Sequence, residues 1–251
     1  MRGFSLVELS IVLVILGLLT GGILGGQALI RAAQLRAMPT EVGRYTTAAM
    51  TFRDKYFSMP GDMANATAFW GTATSCPGDF TTPATGPATC NGDGNGQINA
   101  WAETWRAWQH LANAGLIEGS YTGVQGTSTD TTYGIAGQNM PASKAGTNSG
   151  YAFVWVNSSN ANSTSYFAGN YGNTLRWGAE NGVDQGALRL LPEEAWTVDM
   201  KMDDGKPGTG NVRTYLNSIR PQCSDSDIGA SSAYQLTLKV RGCNLVFVTG
   251  L

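Results

Sequence analysis

The chain reads as an α+β protein: one long N-terminal helix followed by a loop-rich body that ends in antiparallel strands. Three observations carry this. An unbroken apolar run opens the sequence, an amphipathic helical pattern follows it without a stop signal, and segments that read as strands lie after residue 150.

The apolar run starts at Phe4, and up to Ile30 its only charged residue is Glu8. Spanning a bilayer takes roughly 20 apolar residues, so the length suffices. A lone carboxylate inside a membrane helix costs about 2.5–3.5 kcal/mol when unpaired, so Glu8 calls for a partner. The nearest cation would be a free α-amino group on Phe4, created by cutting the chain after Gly3. Met1-Arg2-Gly3 is then a leader, residues 4–30 a transmembrane and assembly helix, and residues 31–251 an extracytoplasmic body. Two competing readings are a secretory signal peptide removed whole and a plain membrane anchor. The first has too short a charged region and too long an apolar core, and the second leaves Glu8 unexplained.

Leu35, Met38, Val42, Tyr45, Ala49, Phe52 and Tyr56 recur at three- and four-residue steps, one face of a continuing helix. Gln34, Arg36, Glu41, Arg44, Arg53 and Asp54 fall on the other faces. The helix should therefore run to about residue 57, bent at Pro39. Ser58-Met59-Pro60-Gly61-Asp62 ends it, with Asp62 capping a short helix through Trp70. Gly17, Gly21 and Gly25, spaced by four, let apolar helices approach closely.

Residues 72–100 are rich in Gly, Pro, Thr and Asn and read as a loop. Trp101, Trp105, Trp108 and Leu111 mark one face of a helix that closes at Gly115. Tyr151–Val156 and Tyr166–Ala168 read as strands, with Leu175–Trp177 as a weaker third. Pro192-Glu193-Glu194 opens a helix with proline in its first turn and acids at its positive end. Tyr234–Val240 and Asn244–Val248 read as a final strand pair.

Only 14% of the 251 residues are charged and the formal net charge is −2, so no nucleic-acid footprint exists. The four cysteines, Cys76, Cys90, Cys223 and Cys243, form no CxxC and have no neighbouring histidine, which points to disulfides rather than zinc. Three pairings are open. The expectation is the sequential one, Cys76 with Cys90 and Cys223 with Cys243, each adding about 3 kcal/mol by loop closure.

Gly3-Phe4-Ser5-Leu6-Val7-Glu8-Leu9 resembles the cleavage and methylation motif of type IV prepilins and type II secretion pseudopilins. The family places Gly before the cut, an N-methylated Phe after it, and Glu as the fifth mature residue; here these are Gly3, Phe4 and Glu8. The motif covers about the first thirty residues. The three-residue leader is shorter than the family usually has, so the true start codon is expected upstream. The body is also larger than in many major pilins. The resemblance implies a structural filament subunit with no catalytic role. A prepilin peptidase would cut after Gly3 and methylate Phe4. The helix would then hold the chain in the bacterial inner membrane until inner-membrane assembly machinery packs it with copies of itself and other pilin subunits. The filament would be periplasmic or at the cell surface. Glu8 would neutralise the Phe4 ammonium of a neighbouring subunit. The alternative is a membrane-tethered extracytoplasmic binding or adhesin domain that does not polymerise.

Two acidic groups are candidate calcium sites. Asn91, Asp93 and Asn95 alternate with glycines as in the first half of an EF-hand loop, but Ala102 stands where the closing Glu belongs and Glu103 comes one residue late. The competing reading is an Asx/Gly turn. Asp199 and Asp203 share a helix face with Asp204 at its exit, where acids oppose the helix dipole. Secretion pseudopilins hold calcium in a C-terminal loop, which adds to this second group. The competing reading there is a solvated helix end. No motif for nucleophilic, phosphoryl-transfer or metal-hydrolytic chemistry is present, and the single histidine, His110, reads as a packed side chain.

Overall fold

The computed structural model describes residues 5–74, 76, 82–99, 101–126, 134–158, 166–179, 189–215, 223–226 and 229–251. The fold is α+β, with a long helix laid on an antiparallel sheet.

Helix α1 (Leu6–Tyr56, 51 residues) passes through Pro39 and stops at Phe57. Phe57 takes a left-handed conformation and its amide donates to the Arg53 carbonyl, closing the last turn. The buried stripe is Leu35, Met38, Glu41, Val42, Tyr45, Ala48, Ala49 and Phe52. It contains the expected apolar face except Tyr56, which is half-buried, and adds Ala48 and Glu41, the latter assigned by the hydrophobic pattern to a polar face. Burial is tolerated because three donors meet the carboxylate: Ser143 Oγ at 2.8 Å, the Lys144 amide at 2.9 Å and the Tyr151 hydroxyl at 2.9 Å.

A four-residue helix α2 (Thr67–Trp70) and helix α3 (Trp101–Asn113) follow. Trp105, Trp108 and Leu111 are completely buried, as the helical spacing requires. Tyr45 of α1 meets Trp108 edge-on at 5.0 Å and Tyr151 at 5.4 Å, and Trp108 packs on Phe153 at 4.7 Å. These rings join α1, α3 and the sheet into one core. His110 lies in it, stacked on Phe52, its Nδ1 accepting the Gly61 amide at 2.9 Å.

The sheet comprises β1 (Ser149–Val156), β2 (Gly172–Ala179), β3 (Val212–Thr214) and β4 (Leu245–Val248), in the order β1-β2-β4-β3 with every pair antiparallel. Helix α4 (Pro192–Met202) connects β2 to β3 and lies against α1. Both disulfides join the expected partners, Cys76–Cys90 and Cys223–Cys243, with Cα separations of 5.5 and 5.0 Å.

Two expected strands are not strands. Tyr166 and Phe167 are buried, but their segment folds back over the second face of the sheet, the Tyr171 hydroxyl donating to the Phe167 carbonyl. The strand forms instead at Gly172–Ala179, around the segment that read as the weakest of the three. Residues 234–240 form turns, with Leu236 donating to Tyr234 and Leu238 to Gln235. Leu236 and Val240 are exposed. β4 has neighbours on both sides, β2 and β3, so no edge remains there for this segment to join.

Candidate functional site

The exposed helix and its exit from the body form the first candidate region. From Leu6 to Ile30 no residue of α1 is buried. At the standard rise these 25 residues extend about 37 Å, more than the roughly 30 Å hydrocarbon core of a bilayer. The segment is long and apolar enough to be a single-pass membrane anchor. Gly3 and Phe4 lie outside the described residues. Glu8 does have a partner within its own chain: its Oε2 accepts the Ser5 amide at 2.8 Å, while Ser5 Oγ accepts the Val7 amide at 3.3 Å. This is a capping box at the start of α1. The Ser-x-x-Glu spacing in Ser5-Leu6-Val7-Glu8 was the available signal, and the charge argument passed over it.

Where α1 enters the body, Arg31 grips helix α4. Its guanidinium donates to both oxygens of Glu194, at 2.5 and 3.0 Å, and to the Ala145 carbonyl. Glu194 also accepts from the Leu191 amide, capping α4, and lies 3.4 Å from Arg241. Burial alone would raise the Glu194 pKa, but the bonds from Arg31 and Leu191 and the charges of Arg31 and Arg241 outweigh it and bring the carboxyl below its usual range. This clamp was not anticipated, because its partners lie 163 residues apart.

The second region holds the first candidate cation ligands. Asp62, Asp93 and Glu103 bring carboxylate oxygens within 4.8 Å of one another. Asp62 does not cap α2, whose N-cap is Ala66 with no side-chain bond. Instead its Oδ1 accepts the Gly94 and Asn95 amides, at 2.8 and 3.0 Å, and its Oδ2 the Gly96 amide at 2.8 Å. The loop winds so closely over it that a Cβ on Gly92 would lie 2.3 Å from the Asp62 carbonyl carbon. Glu103, one turn into α3, receives the amides of Asp93 and Asn99. Of the three loop residues expected as ligands, only Asp93 joins this carboxylate group. Asn91 Oδ1 accepts the Thr67 amide at the start of α2, and Asn95 Oδ1 accepts the Gln97 amide two residues on, as a turn-forming side chain does. Burial above all, with Asp93 and Glu103 beside it, pushes Asp62 up to about 6.

The third region is Asp199, Asp203 and Asp204, whose oxygens also lie within 4.8 Å of one another. Asp199 is buried on α4 and accepts the Tyr234 hydroxyl at 2.8 Å and the Gly205 amide at 3.0 Å. Asp203 accepts the amides of Asn211 and Val212, and Asp204 accepts the Lys206 amide and the Thr209 hydroxyl. The three carboxylates thus fold the connection from α4 to β3 around themselves. Burial, with the charges of Asp204 and Asp203 adding to it, raises Asp199 to about 7, although the bonds from Tyr234 and Gly205 oppose the rise. Both acidic groups offer oxygen ligands of the type calcium takes, and in both several of those oxygens already close a loop through backbone amides.

His110 is the remaining titratable group of interest. Full burial, reinforced by the nearby Arg106 charge, lowers it to about 3, so it is neutral at physiological pH. With Nδ1 accepting from Gly61 and Nε2 3.1 Å from Thr89 Oγ1, it ties α3 to two loops and faces no open cleft.

Comparison with known proteins finds no matching family model, no similar curated protein and no similar solved structure.

Proposed function

We propose that this chain is a type IV pilin-like or type II pseudopilus-like filament subunit, processed after Gly3 and assembled through its N-terminal helix. The observation that carries the reading is a single 51-residue helix with two characters: unburied and predominantly apolar up to Ile30, and the spine of a folded body from Leu35. The Gly3-Phe4…Glu8 register sits at the start of that helix. A soluble protein has no use for an unburied, predominantly apolar stretch of this length; a lipid-embedded helix that later packs against copies of itself does.

The body belongs outside the cytoplasm on this reading. Within about 20 residues after the span lie Arg31, Arg36 and Arg44, a cationic flank that by itself would favour a cytoplasmic body. Two disulfides argue the opposite, since they persist in oxidising compartments. The disulfides carry more weight, because charge bias sets orientation only as a tendency. Prepilin peptidase, inner-membrane assembly machinery and other pilin subunits are the partners this function requires.

One observation favours a second reading, a tethered binding domain that does not polymerise. The Ser5–Glu8 capping box gives Glu8 an intramolecular role that needs no neighbouring subunit. Glu8→Gln separates the two, because Gln keeps the cap and removes the charge. A filament subunit is expected to insert normally and fail to assemble with Gln at this position. Normal filament yield would sink the charge-pairing reading. The mass of the N-terminal peptide from the native host is the companion test: an N-methylated Phe4 is expected, and an intact Met1 in a host with active prepilin peptidase would leave only the tether.

A further inference from the structure

At the exit of the apolar helix a pocket of about 220 Å³ opens between α1, the 145–147 turn and the segments around Arg189 and Arg241, lined by Arg31, Gln34, Ala145, Thr147, Arg189 and Arg241. Among the described residues, the carboxylate that meets these arginines is Glu194, which binds Arg31 on two sides and Arg241 at 3.4 Å. Arg189 is exposed, and its carbonyl, not its side chain, is the atom engaged by Arg241. Among the described residues, three lining arginines thus face one carboxylate, in a chain whose total charge is −2.

Its place in the fold decides what meets it. Arg31 follows Ile30 directly, so the pocket begins one residue after the last apolar position of the candidate span. A bilayer carrying that span sets its phosphate layer at this height. Arg31 also lines the neighbouring groove between α1 and α4, whose walls include Ala28, Ala32, Leu35 and Val198. Cationic and apolar surface thus adjoin at the water–lipid boundary. Planar, forked donors suit a phosphodiester oxygen pair better than a point charge does.

We infer that the Arg31–Arg189–Arg241 pocket binds the headgroup phosphate of an anionic phospholipid while the chain is in the membrane. The inference rests on the membrane-spanning reading of residues 6–30. It gives the exposed Arg189 side chain a role, adds one to Arg241 beyond its contacts with Glu194 and the Arg189 carbonyl, and fixes the body's height above the bilayer.

The test is native mass spectrometry of the full-length protein in detergent with added phosphatidylglycerol or phosphatidylcholine. The wild-type chain is expected to retain phosphatidylglycerol preferentially. Arg189→Gln and Arg241→Gln should each weaken retention about fivefold, and Arg189→Lys should keep most of it. Arg31 is left intact because it holds α4. Equal retention of the two lipids by the wild type would overturn the inference, as would full retention by the Arg189→Gln, Arg241→Gln double variant. Displacement of the lipid by equimolar inorganic phosphate would assign the pocket to a soluble anion and also overturn it. Release of the wild-type chain from membranes by alkaline carbonate would overturn the spanning reading itself. A chain that resists extraction yet shows no lipid preference rejects the pocket alone.

Discussion

The two halves of α1 carry one carboxylate each in a decisive position, and they treat it in opposite ways. Glu41 is buried within the body and gathers a hydroxyl and an amide from the 143–144 segment and a phenol from β1. Glu8 lies among exposed apolar residues and reaches only its own first turn. The body half of the helix is satisfied by what the chain itself supplies. The exposed half is satisfied in its backbone alone, and its side chains have nothing around them. A helix can thus be complete as secondary structure and unfinished as tertiary structure, and the unfinished half is where an external environment must enter.

The largest expected effect comes from cutting into the body half. Phe52→Ala removes a fully buried ring that touches Tyr56, Trp70 and His110, and should destabilise the body by about 3–5 kcal/mol in denaturant unfolding. Leu16→Ala in the exposed half should leave that unfolding curve unchanged. Equal losses would erase the distinction between the halves. Glu41→Ala comes next. It strands buried donors on Ser143, Lys144 and Tyr151, and each orphaned group costs about 1–3 kcal/mol, whereas Glu8→Ala should lower assembly with no effect on body stability.

Protonation sharpens the contrast further, because the strongly shifted groups all lie in the body. Asp199, raised to about 7, favours folding below its unfolded value near 3.8 and loses that contribution as pH rises toward 7. His110, lowered to about 3, acts the other way: its neutral burial is free above 6.5 and increasingly costly as pH falls toward 3. Asp199→Asn should therefore flatten the fall in stability between pH 4 and 7, seen as a melting temperature that changes less across that window than in the wild type. An unchanged slope would remove Asp199 from the account. The smallest effect is expected from calcium. Because carboxylate oxygens of both acidic groups already hold backbone amides, millimolar calcium should raise the melting temperature by about 1 °C at most; a larger rise, abolished by Asp93→Asn or Asp203→Asn, would turn one loop into a cation site.

These contrasts also mark what the sequence made legible. The face Leu35-Met38-Val42-Tyr45-Ala49-Phe52 was readable because helical periodicity and burial report the same geometry. The tryptophans of α3, the proline-led start of α4 and the two cysteine pairs were readable for similar local reasons. Glu41, Asp62 and the Arg31–Glu194 clamp were not, since a buried charge is made possible by partners that only folding brings near. Asp62 illustrates the limit: its position before a short helix suggested a cap, yet the amides it receives come from residues more than thirty positions ahead. The segment 234–240 failed differently: its residues suit a strand, yet its backbone closes turns at Leu236 and Leu238 beside a β4 already paired on both sides.

The contacts that dock α1 have a mechanical meaning. Leu35 to Phe52 lie in a row along the helix axis, and Arg31 stands at the end of that row nearest the exposed segment. A pull on the N-terminal end along the axis loads the whole row in parallel, as shear, instead of peeling it open one contact at a time. The guanidinium–carboxylate pair meets the load first and passes it into α4, which is followed by the loop that Asp199, Asp203 and Asp204 hold closed. The exposed helix is thereby built as a handle by which the folded body can be drawn without unravelling from its point of attachment.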